Sequence, residues 1–293
     1  MLDLEGILER YGIVAASLEP LGDTQNANHM VAAASGERFL LRQHRSEHLS
    51  LNMLESELLW LSDLHRRALE VQRPVTLPSG KFILLDDERR FSLLSWLEGE
   101  VHQVLNEAQG QAAGALLTRL HLAARAFAPP VGFERPAYDQ GHLARVLATL
   151  RGLECLTPDL PLLERAALSA VPAFADPVAR HLIHADLHPG NLVWRGSKVA
   201  AIDFDACGFG PLGFDLASAL GSLEAGPRAA LLHGYERVSP LPTDVEAHRS
   251  AYTIAAALTN LTFLAAREHE RGFLDTVMLP ELRQQLPELL KGR

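Results

Sequence analysis

A mixed α+β chain in two lobes, a small strand-rich N-terminal lobe followed by a larger helical C-terminal lobe, is the fold class that this sequence predicts. Three observations predict it. Short extended runs punctuated by Gly and Pro fill the first hundred residues, patterns of helical period fill most of the rest, and a compact island with two apolar strands interrupts the helices between His181 and Asp205. The lobes are expected at 1–94 and 100–293, joined by a hinge at 95–99, an order that predicts a cleft between them.

Taken in order, Asn28–Ala34 and Glu37–Gln43 are expected to pair as a hairpin across the turn residues Ser35-Gly36. Leu51, Leu54, Leu58, Leu61 and Leu64 recur at three and four, which predicts a helix from about Ser46 to Arg67. Pro74, Pro78 and Gly80 then set off the extended runs Lys81–Leu85 and Phe91–Leu97. Beyond Gly99, helices are expected at about Gln103–Phe127, Gln140–Gly152 and Leu160–Ala170, with more after Gly213. The stretch Ala251–Ala266 is interrupted by Thr253, Thr259, Asn260 and Thr262, so it reads as a core helix and not as the ~20 apolar residues a bilayer requires.

With 293 residues, 47% hydrophobic and 22% charged, the chain has the composition of a globular protein and not of a disordered one. The net charge of −9 argues against a general affinity for nucleic acid. Cys155 and Cys207, without CxxC spacing, make neither a zinc ribbon nor a disulfide framework. Asp3, Glu5 and Glu9 stand where a signal peptide would carry a basic region, so a cytoplasmic protein with no membrane partner is expected. Only Lys81, Lys198 and Lys291 are lysine, so arginine supplies nearly all the positive charge.

The island His181-Leu-Ile-His-Ala-Asp-Leu-His-Pro-Gly-Asn191 concentrates three His, one Asp and one Asn on a loop. A two-residue turn at Gly196-Ser197 pairs Arg195 with Lys198, places Asn191 opposite Ile202 and puts Asp203 beside it. Carboxylates gathered there repel by roughly 3 kcal/mol per pair at ~5 Å and an effective dielectric near ~20. A cation is therefore expected, and oxygen donors from Asn191 and Asp203 suit Mg²⁺ or Mn²⁺. Asp186 is left to orient or deprotonate an acceptor hydroxyl, and together these parts equip a site for phosphoryl transfer. Two other readings compete. His181, His184, His188 and Asp186 could hold zinc for a hydrolase. Gly208-x-Gly210-x-x-Gly213 imitates a dinucleotide fingerprint, but Asp203 and Asp205 just before it would repel a pyrophosphate, and a flexible glycine turn is the preferred reading.

His184-x-Asp186-x-His188-x-x-Asn191 followed by Ile202-Asp203-Phe204-Asp205 resembles the catalytic loop and metal-binding segment of the aminoglycoside phosphotransferase and choline kinase family, relatives of the protein kinases. The resemblance extends over nearly the whole chain and implies a two-lobed protein-kinase-like fold using ATP and Mg²⁺. It implies that Asp186 is the catalytic base, that Asn191 and Asp203 hold the metal, and that the backbone of Ser95 and Leu97 in Ser95-Trp-Leu-Glu-Gly99 reads adenine. Glu57 takes the helix position that anchors a phosphate-binding cation, with Glu55 as the alternative. Arg119-Leu-His121 matches a recurrent helix, and Asp215 in Phe214-Asp-Leu-Ala supports the catalytic region.

Two departures stand out: Arg42 occupies the strand position where many members have lysine, and the nucleotide loop Leu21–Asn26 carries one glycine. Asp205 is a second metal ligand or a loop acid. The implied activity is transfer of the γ-phosphoryl group to a hydroxyl of a small molecule such as an aminoglycoside, choline or homoserine. A protein serine/threonine kinase and a nucleotide-binding pseudokinase are the alternatives. Setting aside Asp186, Asp203, Asp205 and Asp215, acids and bases balance beyond Gly99, so no acidic surplus suited to a polycationic acceptor is evident.

Overall fold

The computed structural model describes residues 3–23, 26–45, 49–176 and 180–291. They form a mixed α+β chain whose contacts divide it into two compact units, residues 1–102 with 126–135 and 192–205, and residues 103–125 with 136–191 and 206–293. The grouping differs from a single crossing at 95–99, because two later stretches return to the first unit. Among the described residues no helix is long and apolar enough to cross a membrane.

The first unit is built on a five-stranded antiparallel sheet ordered β1-β2-β3-β5-β4, formed by β1 (Ala15–Asp23), β2 (Asn26–Ala33), β3 (Arg38–His44), β4 (Leu84–Asp86) and β5 (Arg89–Ser95). The hairpin expected across Ser35-Gly36 is there, with Gly36 at φ +89°. The edge strand β1 was not evident in the sequence; it tolerates Pro20 because an edge position can spare an N–H. Helix α1 (Leu4–Arg10) and the strands share a core of Ile7, Leu8, Val31, Phe39, Leu41, Phe91 and Leu93. Helix α2 (Leu51–Arg66) begins where Ser50 Oγ accepts from Met53 N at 3.1 Å, five residues past the expected start. Its forecast first residues Ser46–His48 lie outside the described residues.

The returning stretches join the first unit through hydrogen bonds. Strand β6 (Glu100–Val101) pairs with β8 (Leu192–Arg195), which pairs with β9 (Lys198–Ala201), and Ala201 bridges Val71. Arg195 faces Lys198 and Leu192 faces Ala201, the register expected from the Gly196-Ser197 turn. Gly99, at φ +152°, passes so close to the Trp194 carbonyl that a Cβ would collide with it.

The second unit is mostly helical: α3 (Glu107–Ala126), α4 (Gln140–Arg151), α5 (Leu160–Ala170), α6 (Leu212–Gly221), α7 (Ala225–Glu236), α8 (Thr243–Ala265) and α9 (Leu279–Lys291). Leu143, Leu163, Phe174, Phe214, Leu258 and Leu286 lie in its core. Between the helices, β7 (Arg180–Ile183) pairs antiparallel with β10 (Gly208–Pro211). The run Gly208–Gly213 is thus a strand leading into α6 and not the flexible turn expected. Its glycines serve close packing: a Cβ at Gly210 would lie 2.7 Å from Ile183 Cδ1, and one at Gly208 would strike the Pro136 carbonyl.

Two histidines give the fold an acid-sensitive component. Burial, then the Arg145 charge, lowers the His142 pKa to about 4, with its Nε2 2.9 Å from Thr259 Oγ1. Burial, then the Arg42 charge, lowers that of His44 to about 3. Both are neutral when folded and protonate near their ordinary pKa when unfolded. Stability therefore falls as pH drops below the unfolded value toward the folded one, each histidine withdrawing about 2 kcal/mol by pH ~5. Urea unfolding at about pH 7 and pH 5 should register this fall, and His142→Gln should reduce it; a stability independent of pH over that interval would contradict the assignment.

Candidate active site

In the first unit, β3 is the middle strand of the sheet and carries Arg42 between two small polar neighbours, Asn28 on β2 and Ser92 on β5. The buried guanidinium faces three carboxylates. Its Nη1 lies 3.4 Å from Glu57 Oε1 and closer still to Asp205 Oδ1, and its Nη2 is 3.5 Å from Asp203 Oδ1. Burial works against the Arg42 charge, but Asp205, Asp203 and Glu57 outweigh it and hold the group protonated. Glu57, at 1% side-chain exposure, is pushed above the ordinary carboxylate range by burial and by Asp205, against the pull of Arg135 and Arg42. Glu55 is spent elsewhere, accepting from Phe82 N at 3.2 Å and Ile83 N at 2.9 Å.

Asp203 follows β9 at φ +61°, a left-handed conformation unusual for a residue other than glycine, and keeps 47% of its side chain exposed. Asp205 is different. One oxygen meets Arg42, and the other accepts from Asn26 Nδ2 at 2.5 Å. Burial raises its pKa, but the Arg42 and Arg135 charges and the Asn26 hydrogen bond outweigh burial and hold the acid ionised. Ser95 ends β5, donating its N–H to Arg73 O at 2.8 Å and accepting from Gln72 Nε2 at 3.3 Å through its carbonyl. The Leu97 N–H, two residues on, has no partner among the described residues. Of the Leu21–Asn26 loop, Thr24 and Gln25 lie outside the described residues.

In the second unit the chain leaves β7 into the loop that carries Asp186 and Asn191. Asp215 on α6, fully buried, holds this loop from beneath: Oδ2 accepts from His184 N at 3.0 Å and Oδ1 from Ala185 N at 2.7 Å. Ala185 sits at φ +66°, a second strained non-glycine residue. His121 of α3 completes the support, with Nε2 3.1 Å from Asp215 Oδ2 and Nδ1 2.8 Å from Tyr235 Oη. Burial opposes the Asp215 charge, yet the His121 hydrogen bond and the His121 and His184 charges hold its pKa below the usual range. Asn191 Nδ2 donates to Asp186 O at 2.9 Å, which leaves its amide oxygen as the acceptor. The Asp186 carboxylate stays 51% exposed, its pKa raised by burial against the pull of His188 and His184.

The two groups of residues are thus each assembled within one unit: Arg42, Glu57, Asp203 and Asp205 in the first, Asp186, Asn191 and Asp215 in the second. The exposed carboxylate of Asp203 and the directed amide oxygen of Asn191 are hard donors of the type Mg²⁺ takes. The zinc reading finds no support, since among the described residues no three His, Cys, Asp or Glu side chains gather as a metal-holding group. His184 and His188 instead accept from backbone N–H groups of their own loop, Asp186 N at 3.3 Å and Gly190 N at 3.1 Å. Sequence reasoning assigned no role to Arg135 or Tyr235, and to Asn26 none beyond ending the nucleotide loop. Their partners lie far along the chain, so no local spacing marks them.

A protein-kinase-like fold, with a cation–carboxylate pair linking a strand to a helix and a buried aspartate under the loop at 184–191, is the class these features define. The chain belongs to the phosphotransferase enzyme family (APH), whose model matches residues 17–249, and it is a kinase of that family. Homoserine kinase of Gluconacetobacter diazotrophicus is 29% identical over 261 residues, covering 84% of this chain and 78% of the relative. The serine/threonine protein kinase RdoA of Salmonella typhimurium (strain LT2) is 25% identical over 257 residues, covering 82% and 74%. Among solved structures, a microcompartment-associated aminopropanol kinase superposes with a TM-score of 0.78 at 24% identity, covering 94% of this chain and 92% of that one. An amicoumacin kinase in complex with AMP-PNP, Ca²⁺ and Ami superposes with a TM-score of 0.78 at 16% identity, covering 98% of this chain and 94% of that one.

Proposed function

We propose that the chain transfers the γ-phosphoryl group of ATP to a hydroxyl of a small molecule, with Mg²⁺ as the metal. The observation that carries this reading is the loop at 184–191, where Asp215 fixes the backbone while the Asp186 carboxylate remains accessible. Asp186 orients the acceptor hydroxyl and takes its proton as the O–P bond forms. Arg42 presents a planar fork to phosphate oxygens, with Glu57 fixing its position. Ser95 and Leu97 offer a backbone carbonyl and a backbone N–H to the adenine edge. Asn191 and Asp203 would hold Mg²⁺, which would neutralise charge on the phosphate oxygens. Asp205, with both oxygens engaged by Arg42 and Asn26, orients Arg42 and is not a metal ligand.

Similarity to homoserine kinase and to an aminopropanol kinase favours a small amino-alcohol or hydroxy amino acid as acceptor. Similarity to the protein kinase RdoA supports the second reading, a protein acceptor. A panel of hydroxylated amino acids, amino alcohols, aminoglycosides and generic protein substrates, each assayed for ADP release above the ATP-only background, separates the two. For the metal, ATP is expected to raise the melting temperature more with Mg²⁺ than with EDTA, and Asp203→Ala to abolish most of that difference. Full Mg²⁺-dependent stabilisation of the Asp203→Ala protein would refute its assignment as a ligand.

A further inference from the structure

We propose that Arg135 is a positioning residue for nucleotide binding and phosphoryl transfer, clamping helix α2 to the segment that carries Asp203 and Asp205. The proposal rests on the kinase reading above. The Arg135 side chain is completely buried, and its two terminal nitrogens address different elements. Nη1 donates to Met53 O at 2.9 Å and lies 3.6 Å from Glu57 Oε2, two groups one turn apart on α2. Nη2 donates to Asp205 O at 2.5 Å and lies 3.5 Å from Phe204 O. The loop that delivers Arg135 is itself fastened to α2, since Glu134 N donates to Ser56 Oγ at 2.8 Å and Ser50 Oγ donates to Glu134 Oε2 at 3.0 Å.

This arrangement solves a charge problem. Glu57 lies between two cations, Arg42 at 3.4 Å from one oxygen and Arg135 at 3.6 Å from the other, whereas Arg42 faces three acids. When Arg42 turns toward phosphate, Glu57, which burial already pushes toward its protonated form, would take up a proton and lose its hold on Arg42 unless a second cation remained. Arg135 is that cation. It faces backbone carbonyls and Glu57, so it stays in place while Arg42 is redirected. A lysine could neutralise Glu57 but could not reach both elements, because it lacks the two-pronged geometry of the guanidinium.

Titration with the non-hydrolysable analogue AMP-PNP, with Mg²⁺ and with EDTA, tests this without an identified acceptor. Arg135→Lys and Arg135→Gln are expected to bind Mg·AMP-PNP at least about tenfold more weakly than wild type, with a smaller loss in EDTA, whereas Arg66→Gln on the exposed face of α2 changes nothing. In a Glu57→Gln background, Arg135→Gln should cost less than about threefold, because the charge it compensates is gone. A purely structural role would lower the melting temperature and give the same penalty in both backgrounds, which would overturn the proposal. So would wild-type affinity in Arg135→Lys, the variant that keeps the charge if Arg135→Gln fails to fold. Wild-type protein that does not bind Mg·AMP-PNP at all would overturn the kinase reading itself.

Discussion

Asp186→Asn is expected to lower turnover by roughly 10² to 10⁴-fold while changing nucleotide affinity by less than about threefold. The substitution keeps the size of the side chain but removes the charge and the basicity that the proposed role of Asp186 requires. Asn191 Nδ2 donates to the Asp186 backbone carbonyl at 2.9 Å and to the carboxylate at 3.4 Å, and the first of these contacts survives the substitution and keeps the amide oriented. Nucleotide titration and ADP release with the best acceptor, measured on one preparation, check both halves of the statement. Near wild-type turnover in Asp186→Asn would remove it from the mechanism.

The second large effect is on stability. Asp215 accepts from two backbone N–H groups and faces His121 with no exposure to solvent. Asp215→Ala removes the acceptor of all three at once, and leaving such buried groups unpaired should cost about 3 to 5 kcal/mol of unfolding free energy. Ala185, held at φ +66°, depends on the same carboxylate and should relax. Asp215→Asn retains one acceptor oxygen and should lose less. Urea unfolding of the two variants gives the comparison; an Asp215→Ala protein as stable as wild type would mean that the loop is held by something else.

These two aspartates also mark how far the sequence could be read. The hairpin register was legible because its turn residues and period-two strands are local, and Arg195 does face Lys198. Asp186, Asn191 and Asp203 could be proposed from the sequence because they fall in one short segment with a recognisable spacing. Arg135 could not, because Met53, Glu57, Phe204 and Asp205 are distant in sequence, and the only hint is a charged residue in a loop. The strand Gly208–Pro211 was missed for another reason. Its glycines carry no alternation of apolar side chains, and the pressure that selects them is the approach of Pro136 and Ile183, which only the folded chain supplies. For Asp205 the sequence left two roles open, and the contacts to Arg42 and Asn26 favour one of them.

The return of residues 126–135 and 192–205 to the first unit has a consequence for how the chain is made. During synthesis the strands β1 to β5 emerge early, but Glu57 has no Arg135 until residue 135 leaves the ribosome, and Val71 has no Ala201 bridge until much later. At ~5–20 residues per second, the first unit waits roughly 5–20 s between its own first hundred residues and the hairpin that completes it. Through that interval β6 lacks its partner strand and Val71 its bridge, and both must be carried by an unfinished intermediate. Such long-range closures slow folding and prolong exposure to aggregation, so the same threading that brings Arg42 to Asp203 and Asp205 ties the completion of the first unit to the pace of translation.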